Sequence, residues 1–282
     1  MRRLRTRSRD SAVDRRRTPP WLPGAIVLGA FGALALLERR YPLRRSVEPP
    51  LRHDARNLAV AAASAAAIRL AENPIVEPLA RLVERWGWGL LPRVGLPRAL
   101  ETALALALLD YTLYLWHVLT HRVPFLWRFH LVHHVDRDLT ASTALRFHFG
   151  EMILSVPWRA AQVAAIGVGP EALRLWQTAT LVEILFHHSN LRLPPALERR
   201  IGAVVVTPRM HGIHHSSRRD ERDANWSSGL TIWDRLHGTL RRDLPQSAIT
   251  IGVDGCCAPD DLAFPRLLAL PFRRNELPLA AD

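Results

Sequence analysis

The sequence predicts an all-α protein, a bundle of helices set in a membrane with a helical cap beside it. Three observations carry that expectation. Apolar runs of near-spanning length recur between residues 21 and 186. Arginines flank those runs, as they flank membrane helices. Eleven of the thirteen histidines fall between positions 117 and 215, many at the three- and four-residue spacing of one helix face.

Along the chain, residues 1–20 are arginine-rich, poor in apolar residues and closed by Pro-Pro, which reads as a disordered basic tail. The run 21–37 ends in Glu-Arg-Arg without a small-residue cleavage site, against a signal peptide. It is short of the roughly 20 apolar residues of a spanning helix, and a membrane helix anchored by Trp21 is expected. Residues 38–56 are polar. An alanine-rich helix is expected over 58–70, and an amphipathic stretch over 75–91, with Trp86 and Trp88, along the interface. The clearest membrane helix is 99–119. Asp110 within it is costly in lipid unless it faces a partner or a polar cavity. Runs 151–168 and 171–186 are separated by Gly-Val-Gly-Pro, the punctuation of a hairpin whose ends return to one side. Residues 189–282 hold no spanning run and are expected to form a cytoplasmic cap with a C-terminal tail. The division is then a tail (1–20), N-terminal membrane helices (21–98), a histidine-bearing domain (99–240) and a C-terminal tail (241–282).

The charge constrains partners. Net charge is +12, and every one of the 38 basic residues is arginine, a compositional bias that lowers the weight of any single one. No basic recognition helix or stacking-aromatic motif accompanies the charge, so nucleic acid is not an expected partner. Membrane flanks explain it. By the same rule the tail places the N-terminus in the cytoplasm, yet 39–56 is basic too and would fall outside on simple alternation. Either the first run is not a full crossing or the rule is broken here. Cys256 and Cys257 are adjacent and form no disulfide framework or CxxC site, as suits a reducing compartment or a membrane facing one.

The chemistry lies in three boxes: HVLTH (His117, His121), HLVHH (His130, His133, His134) and HGIHH (His211, His214, His215). Neutral imidazole suits iron, copper, zinc and nickel. A single ion rarely takes more than four protein ligands, so eight box histidines point to two metals sharing a site, typically about 3.5–4 Å apart. If the metals are iron, open positions beside a membrane allow dioxygen to attack a lipid C–H bond. Electrons must then come from an external donor, since no haem, flavin or iron–sulfur signature is present.

Other residues enter on placement. His187 and His188 end the hairpin, which returns them to the boxes, so a ligand role is expected for at least one. His148, in ALRFHFGE, reads as a ligand, a hydrogen-bonding support or an interfacial histidine. Metal-bound imidazoles usually donate their other N–H to an acceptor. Asp110 precedes His117 by two helical turns, Glu183 precedes His187 by one, and Asp234 lies in SGLTIWDRLHGT, where a salt bridge to an arginine is the competing reading.

In the order HVLTH, HLVHH, TALRFH, HHSN, HGIHH and NWSSGLTIWDRLHGT, the region 100–240 resembles the fatty acid hydroxylase/sterol desaturase superfamily of integral membrane proteins. The resemblance implies a centre of two iron ions at the cytosolic face of a multi-pass helical domain, and hydroxylation or desaturation of a sterol-like or fatty-acyl lipid with O2. It implies His117, His121, His130, His133, His134, His211, His214 and His215 as ligands, with His188 of HHSN a ninth. It also implies that Trp233 and Asp234 support the site. Two positions depart from the family: Phe149 stands where proline often follows the RFH histidine, and His187 replaces another residue. Two competing readings use the same histidines. A zinc-dependent membrane hydrolase would need no O2, although the boxes hold no HExxH and no carboxylate base. A non-enzymatic membrane metal-binding protein would hold metal without turnover.

Overall fold

A computed structural model describes residues 19–254 and 262–273. Most of the tail 1–20, and Cys256 and Cys257, lie outside the described residues. Ten helices lead through the membrane region to the last histidine box: α1 (Leu22–Arg40), α2 (Pro50–Ala67), α3 (Asn73–Trp86), α4 (Leu91–Val94), α5 (Arg98–Arg122), α6 (Pro124–His134), α7 (Phe149–Ile166), α8 (Pro170–His188), α9 (Pro195–Ile201) and α10 (Pro208–His214). Three short helices follow, α11 (Arg219–Arg222), α12 (Ile232–Leu236) and α13 (Phe264–Ala269). Among the described residues the only β pairing is three isolated bridges, so the all-α expectation holds.

Many boundaries follow from local chemistry. Proline sits in the first turn of most helices, where its missing N–H costs nothing. Arg39 and Arg40 close α1, and histidines close α6, α8 and α10, where cationic or polar groups meet the carbonyl end. Gly167 ends α7 at φ +91°, and a side chain there would strike Pro92 and the Trp88 carbonyl. The Leu90 amide donates to the Ala165 carbonyl beside it at 2.9 Å. This close approach fastens the α7–α8 turn to the segment between α3 and α4. The start of α7 and the end of α8 both reach the histidines, since Glu151 bonds His130 and His188 meets His133, so the return expected from Gly-Val-Gly-Pro is present.

Three segments are long and apolar enough to cross a membrane: Leu22–Arg40, Pro50–Val94 and Arg98–Arg122. The second departs from expectation. Residues 50–56, within the stretch read as polar and outside the helix expected over 58–70, are the first turns of α2, and a π-helical turn at Ile68–Glu72 carries α2 directly into α3. The helix α3 packs one face into the bundle and leaves Ile75, Leu82 and Trp86 exposed on the other. Its Val76, Ala80 and Val83 pack with Ala105 and Leu109 of α5, Val163 and Ile166 of α7, and Leu173 and Trp176 of α8. A second core sits beneath the histidine end: Val60, Trp127, Leu131, Val132, Val135, Val253, Leu262 and Leu267. Leu262 and Leu267 come from the segment expected to be a C-terminal tail, which α13 instead packs into the body of the cap.

Candidate metal centre

The histidines converge where the ends of α5, α6, α8 and α10 meet. They form two groups whose nitrogens lie within 4.8 Å of one another in each: His117, His121, His130, His134 and His214, and His133, His188, His211 and His215. Helix geometry explains the sorting. Residues four apart share a face, so His117/His121, His130/His134 and His211/His215 each stay together. The neighbour of each HxxHH pair turns by about 100° and crosses over. Thus His133 joins the second group and His214 the first, and the two groups interlock, with His134 and His215 stacked at 4.3 Å between centroids.

Every one of the nine rings is buried. For His133, His134, His211, His214 and His215, burial pushes the imidazole well below its ordinary range, and neighbouring imidazoles push it further. These rings are therefore neutral. Five outer nitrogens meet acceptors: His117 Nδ1 donates to the Trp226 carbonyl (2.7 Å), His130 Nδ1 to Glu151 (2.9 Å), His133 Nδ1 to the Arg146 carbonyl (3.3 Å), His188 Nδ1 to the Ile184 carbonyl (2.8 Å) and His214 Nδ1 to the Ala224 carbonyl (2.9 Å). A neutral imidazole that donates from Nδ1 carries a bare lone pair at Nε2.

That assignment tests whether the residues suit a metal. His133 Nε2 and His188 Nε2 are 3.0 Å apart, and both are bare. His188 Nε2 also lies 2.9 Å from His211 Nε2, which lies 3.1 Å from His215 Nε2. Protons on the last two rings cannot satisfy the facing pair of lone pairs. In the other group the inward nitrogens His121 Nε2, His130 Nε2, His134 Nε2 and His214 Nε2 are buried without a hydrogen-bond partner. Clusters of lone pairs at such spacing are repulsive alone and stable around a cation, because two nitrogens about 2.1 Å from one ion lie about 3.0–3.4 Å apart. The donor set of each group suits a nitrogen-preferring metal.

The support around the rings differs in part from expectation. His148 belongs to neither group: its Nδ1 accepts from the Gly150 amide at 2.9 Å as the cap of α7, and its Nε2 donates to the Leu268 carbonyl. His187 packs against His211, tilted at 49° with centroids 4.1 Å apart, but adds no nitrogen to either group. Asp110 does not accept from an imidazole. Its Oδ2 takes the Leu230 amide (3.0 Å) and the Trp233 indole N–H (2.7 Å), so it acts on the loop before α12. Glu183 shares that neighbourhood, since a side chain at Gly229 would meet both carboxylates. Asp234 takes the Trp226 and Ser227 amides and the Thr239 hydroxyl, with no arginine partner among the described residues. It therefore fixes the carbonyl that orients His117.

Two supports escaped the sequence reading. Glu151 is the one carboxylate bonded to a ring of the two groups among the described residues. It is 21 residues from His130, and only the α7 fold-back joins them. Asp136, two residues after His134, pairs with Arg146 at 3.1 Å, with both side chains fully buried. It also takes bonds from His53, Asn57 and Thr143. Burial opposes ionisation of Asp136, yet Arg146 and His53 outweigh it and hold the carboxyl below the usual range. Arg146 reaches back to the Val132 carbonyl with Nε and offers its own carbonyl to His133. The segment TALRFH thereby clamps α6. The sequence signal was the polar start of α2 (His53, Asn57), which had no partner in a reading that left it outside a helix.

The fatty acid hydroxylase family matches residues 102–239. The ornithine lipid hydroxylase OlsE of Rhizobium tropici is 33% identical over 64% of this chain and 52% of its own length. The cholesterol 25-hydroxylase of Mus musculus is 28% identical over 53% of this chain and 50% of its own. The alkylglycerol monooxygenase of Homo sapiens is 27% identical over 48% and 29%. The chain thus spans about half or less of the length of these relatives. No solved structure matches.

Proposed function

We propose, from the premise that this chain belongs to the fatty acid hydroxylase superfamily, that it is a membrane-bound di-iron oxygenase acting on a lipid. The relatives are named as hydroxylases or monooxygenases of an ornithine lipid, cholesterol and alkylglycerols. Their shared chemistry favours insertion of one oxygen atom into a lipid C–H bond, with desaturation as the related outcome. The observation that carries the reading is the pair of interlocked groups of buried imidazoles whose inward nitrogens face one another. When bound, two iron ions supply O2 activation, with electrons from an external donor.

The chain's own residues do the rest. His117, His121, His130, His134 and His214 hold one ion, and His133, His188, His211 and His215 the other. The Trp226, Ala224, Arg146 and Ile184 carbonyls and the Glu151 carboxylate fix ring orientation and tautomer, so that each Nε2 presents a lone pair inward. Trp127 lies 5.0 Å from His121 and 5.4 Å from His134, and Phe147 stacks on His133 at 4.4 Å. These rings shield the imidazoles from water. The centre sits at one end of α5, where a lipid held in the bilayer can present an acyl or ring carbon. That face is assigned to the cytoplasm, where reducing equivalents are available.

The test is isotopic. Membranes carrying the protein, supplied with reductant under 18O2, are expected to yield a hydroxylated lipid labelled with 18O, absent without O2 and absent in H133A. Oxygen drawn from water, or the same product made anaerobically, would contradict an oxygenase.

A further inference from the structure

At the end of α1 the chain encloses a cavity of about 430 Å³ that takes in none of the histidines of the two groups. Its volume is that of a small-molecule site. It lies between the last turn of α1, the 41–49 connection, the start of α2 and the loop that follows α6, and Asn190, two residues past His188, also lines it. Most of the charged groups around it are matched within the chain. Arg39 pairs with Asp54 at 3.0 Å, Glu48 with Arg56 at 2.7 Å and His53 with Asp136 at 3.0 Å, and Asp138 takes the Val47 and Glu48 amides. Three groups are not fully matched. Glu38 is buried, and its Oε2 takes the Ala141 amide (3.0 Å) and the Asn190 amide (2.8 Å), but its Oε1 has no partner among the described residues. Arg45 has none among the described residues either. Arg44 donates from Nη1 to the Pro208 carbonyl and to Gln246, while its Nε and Nη2 are buried without an acceptor.

The unmatched groups describe what the cavity fits. A carboxylate oxygen and guanidinium N–H groups left without partners are each costly alone, and together they complement a ligand that carries both an ammonium and an anion. The ammonium suits Glu38; a phosphate or carboxylate suits Arg45, with the charge of Arg44 beside it. We propose that this cavity seats the head group of a zwitterionic lipid, its ammonium at Glu38 and its phosphate or carboxylate at Arg45. The source is a lipid because the cavity lies where a helix long and apolar enough to cross a membrane ends. Leu36 and Leu37, just before that end, are 70% and 41% exposed along α1. Acyl chains leaving the cavity lie along such side chains, and Arg39 and Arg40 close the helix at the level of head groups. The depths agree. Glu38 is two residues from the end of α1 and Arg45 lies beyond it, whereas the apolar run lies before. Glu38 also ties the site to the histidines, since the Asn190 amide that it holds follows His188 by two residues. The proposal rests on the cavity and on α1, not on the oxygenase reading; binding is read without turnover, so either can fail alone.

The test is native mass spectrometry of the full-length protein in a non-ionic detergent, with three probes that share one oleoyl chain: lysophosphatidylethanolamine, lysophosphatidylglycerol and monoolein. The first is expected to be retained at least about tenfold more tightly than monoolein, the effect of one charge-assisted hydrogen bond. In R45E, at an exposed position, that preference is expected to fall about tenfold. E38Q keeps an oxygen for the two amides and is expected to bring the ethanolamine lipid down to the level of the glycerol one. Equal retention of the three probes by the unaltered protein, unchanged retention of the first in R45E, or an unchanged gap between the two phospholipids in E38Q would overturn the proposal. Water-soluble glycerophosphoethanolamine is expected to displace the lipid only in large excess. Displacement at equal concentration would overturn the lipid assignment in favour of a free zwitterion.

Discussion

At the scale of single residues, Glu151 is the most informative. Its carboxylate accepts from His130 Nδ1 at 2.9 Å with both side chains buried, whereas the other outer nitrogens that find partners find carbonyls. In the proposed centre, a carboxylate there would strengthen His130 as a ligand relative to its neighbours, so that the two proposed metal positions would be unequal. E151Q keeps the shape but offers a neutral amide. It is expected to lower metal affinity by about 10–100-fold at the first group and leave the second little changed. Chelator challenge followed by metal analysis reads this as loss of one equivalent before the other. Equal loss from both groups would mean that Glu151 does not distinguish them. Asp136 acts on stability instead. D136N leaves Arg146 buried and charged without its counter-ion, a loss of about 3–5 kcal/mol, measurable by thermal unfolding in detergent. An unchanged melting temperature would show that the network around TALRFH is not structural.

The elements show how far the sequence could be read. Helical spacing placed the histidines of HVLTH, HLVHH and HGIHH, and glycine and proline placed the α7–α8 turn, because those signals are local. What it did not show depended on distant partners. His148 sits at the mouth of the hairpin as expected, but its two nitrogens are taken by the Gly150 amide and the Leu268 carbonyl, and no local pattern announces a carbonyl 120 residues away. Asp110 is on the face of His117 but bonds Trp233 across the α5–α12 contact. The polar start of α2 looked like a connection because His53 and Asn57 are hydrophilic; buried against Asp136, they are helix interior. The C-terminal segment has the composition of a tail, yet Leu267 fills the core beneath α6. L267A is expected to cost about 2–5 kcal/mol, where a true tail residue would cost nothing measurable, and hydrogen exchange in α6 reads the difference.

Across the whole molecule, the histidine groups set how the metal-free protein responds to pH. In the unfolded chain the imidazoles titrate near 6.5, whereas burial holds His133, His134, His211, His214 and His215 well below that in the fold. Below about pH 6.5 the unfolded state therefore binds more protons, and stability rises with pH through this window. The metal-free protein is expected to be stable near neutrality and to lose up to about 1.4 kcal/mol per pH unit for each such histidine on acidification. Melting temperatures between pH 7 and 5 check this; a flat profile would mean that the rings are solvated. Metal raises the stake, since a bound imidazole must release its ion before it takes a proton. The most direct measurement is an anaerobic titration of the metal-free, full-length protein with ferrous iron, followed to saturation. Two equivalents per chain are predicted, falling towards one in H134A and in H211A. Saturation at one equivalent, or none, in protein that remains folded would contradict the pair of interlocked sites on which this account stands.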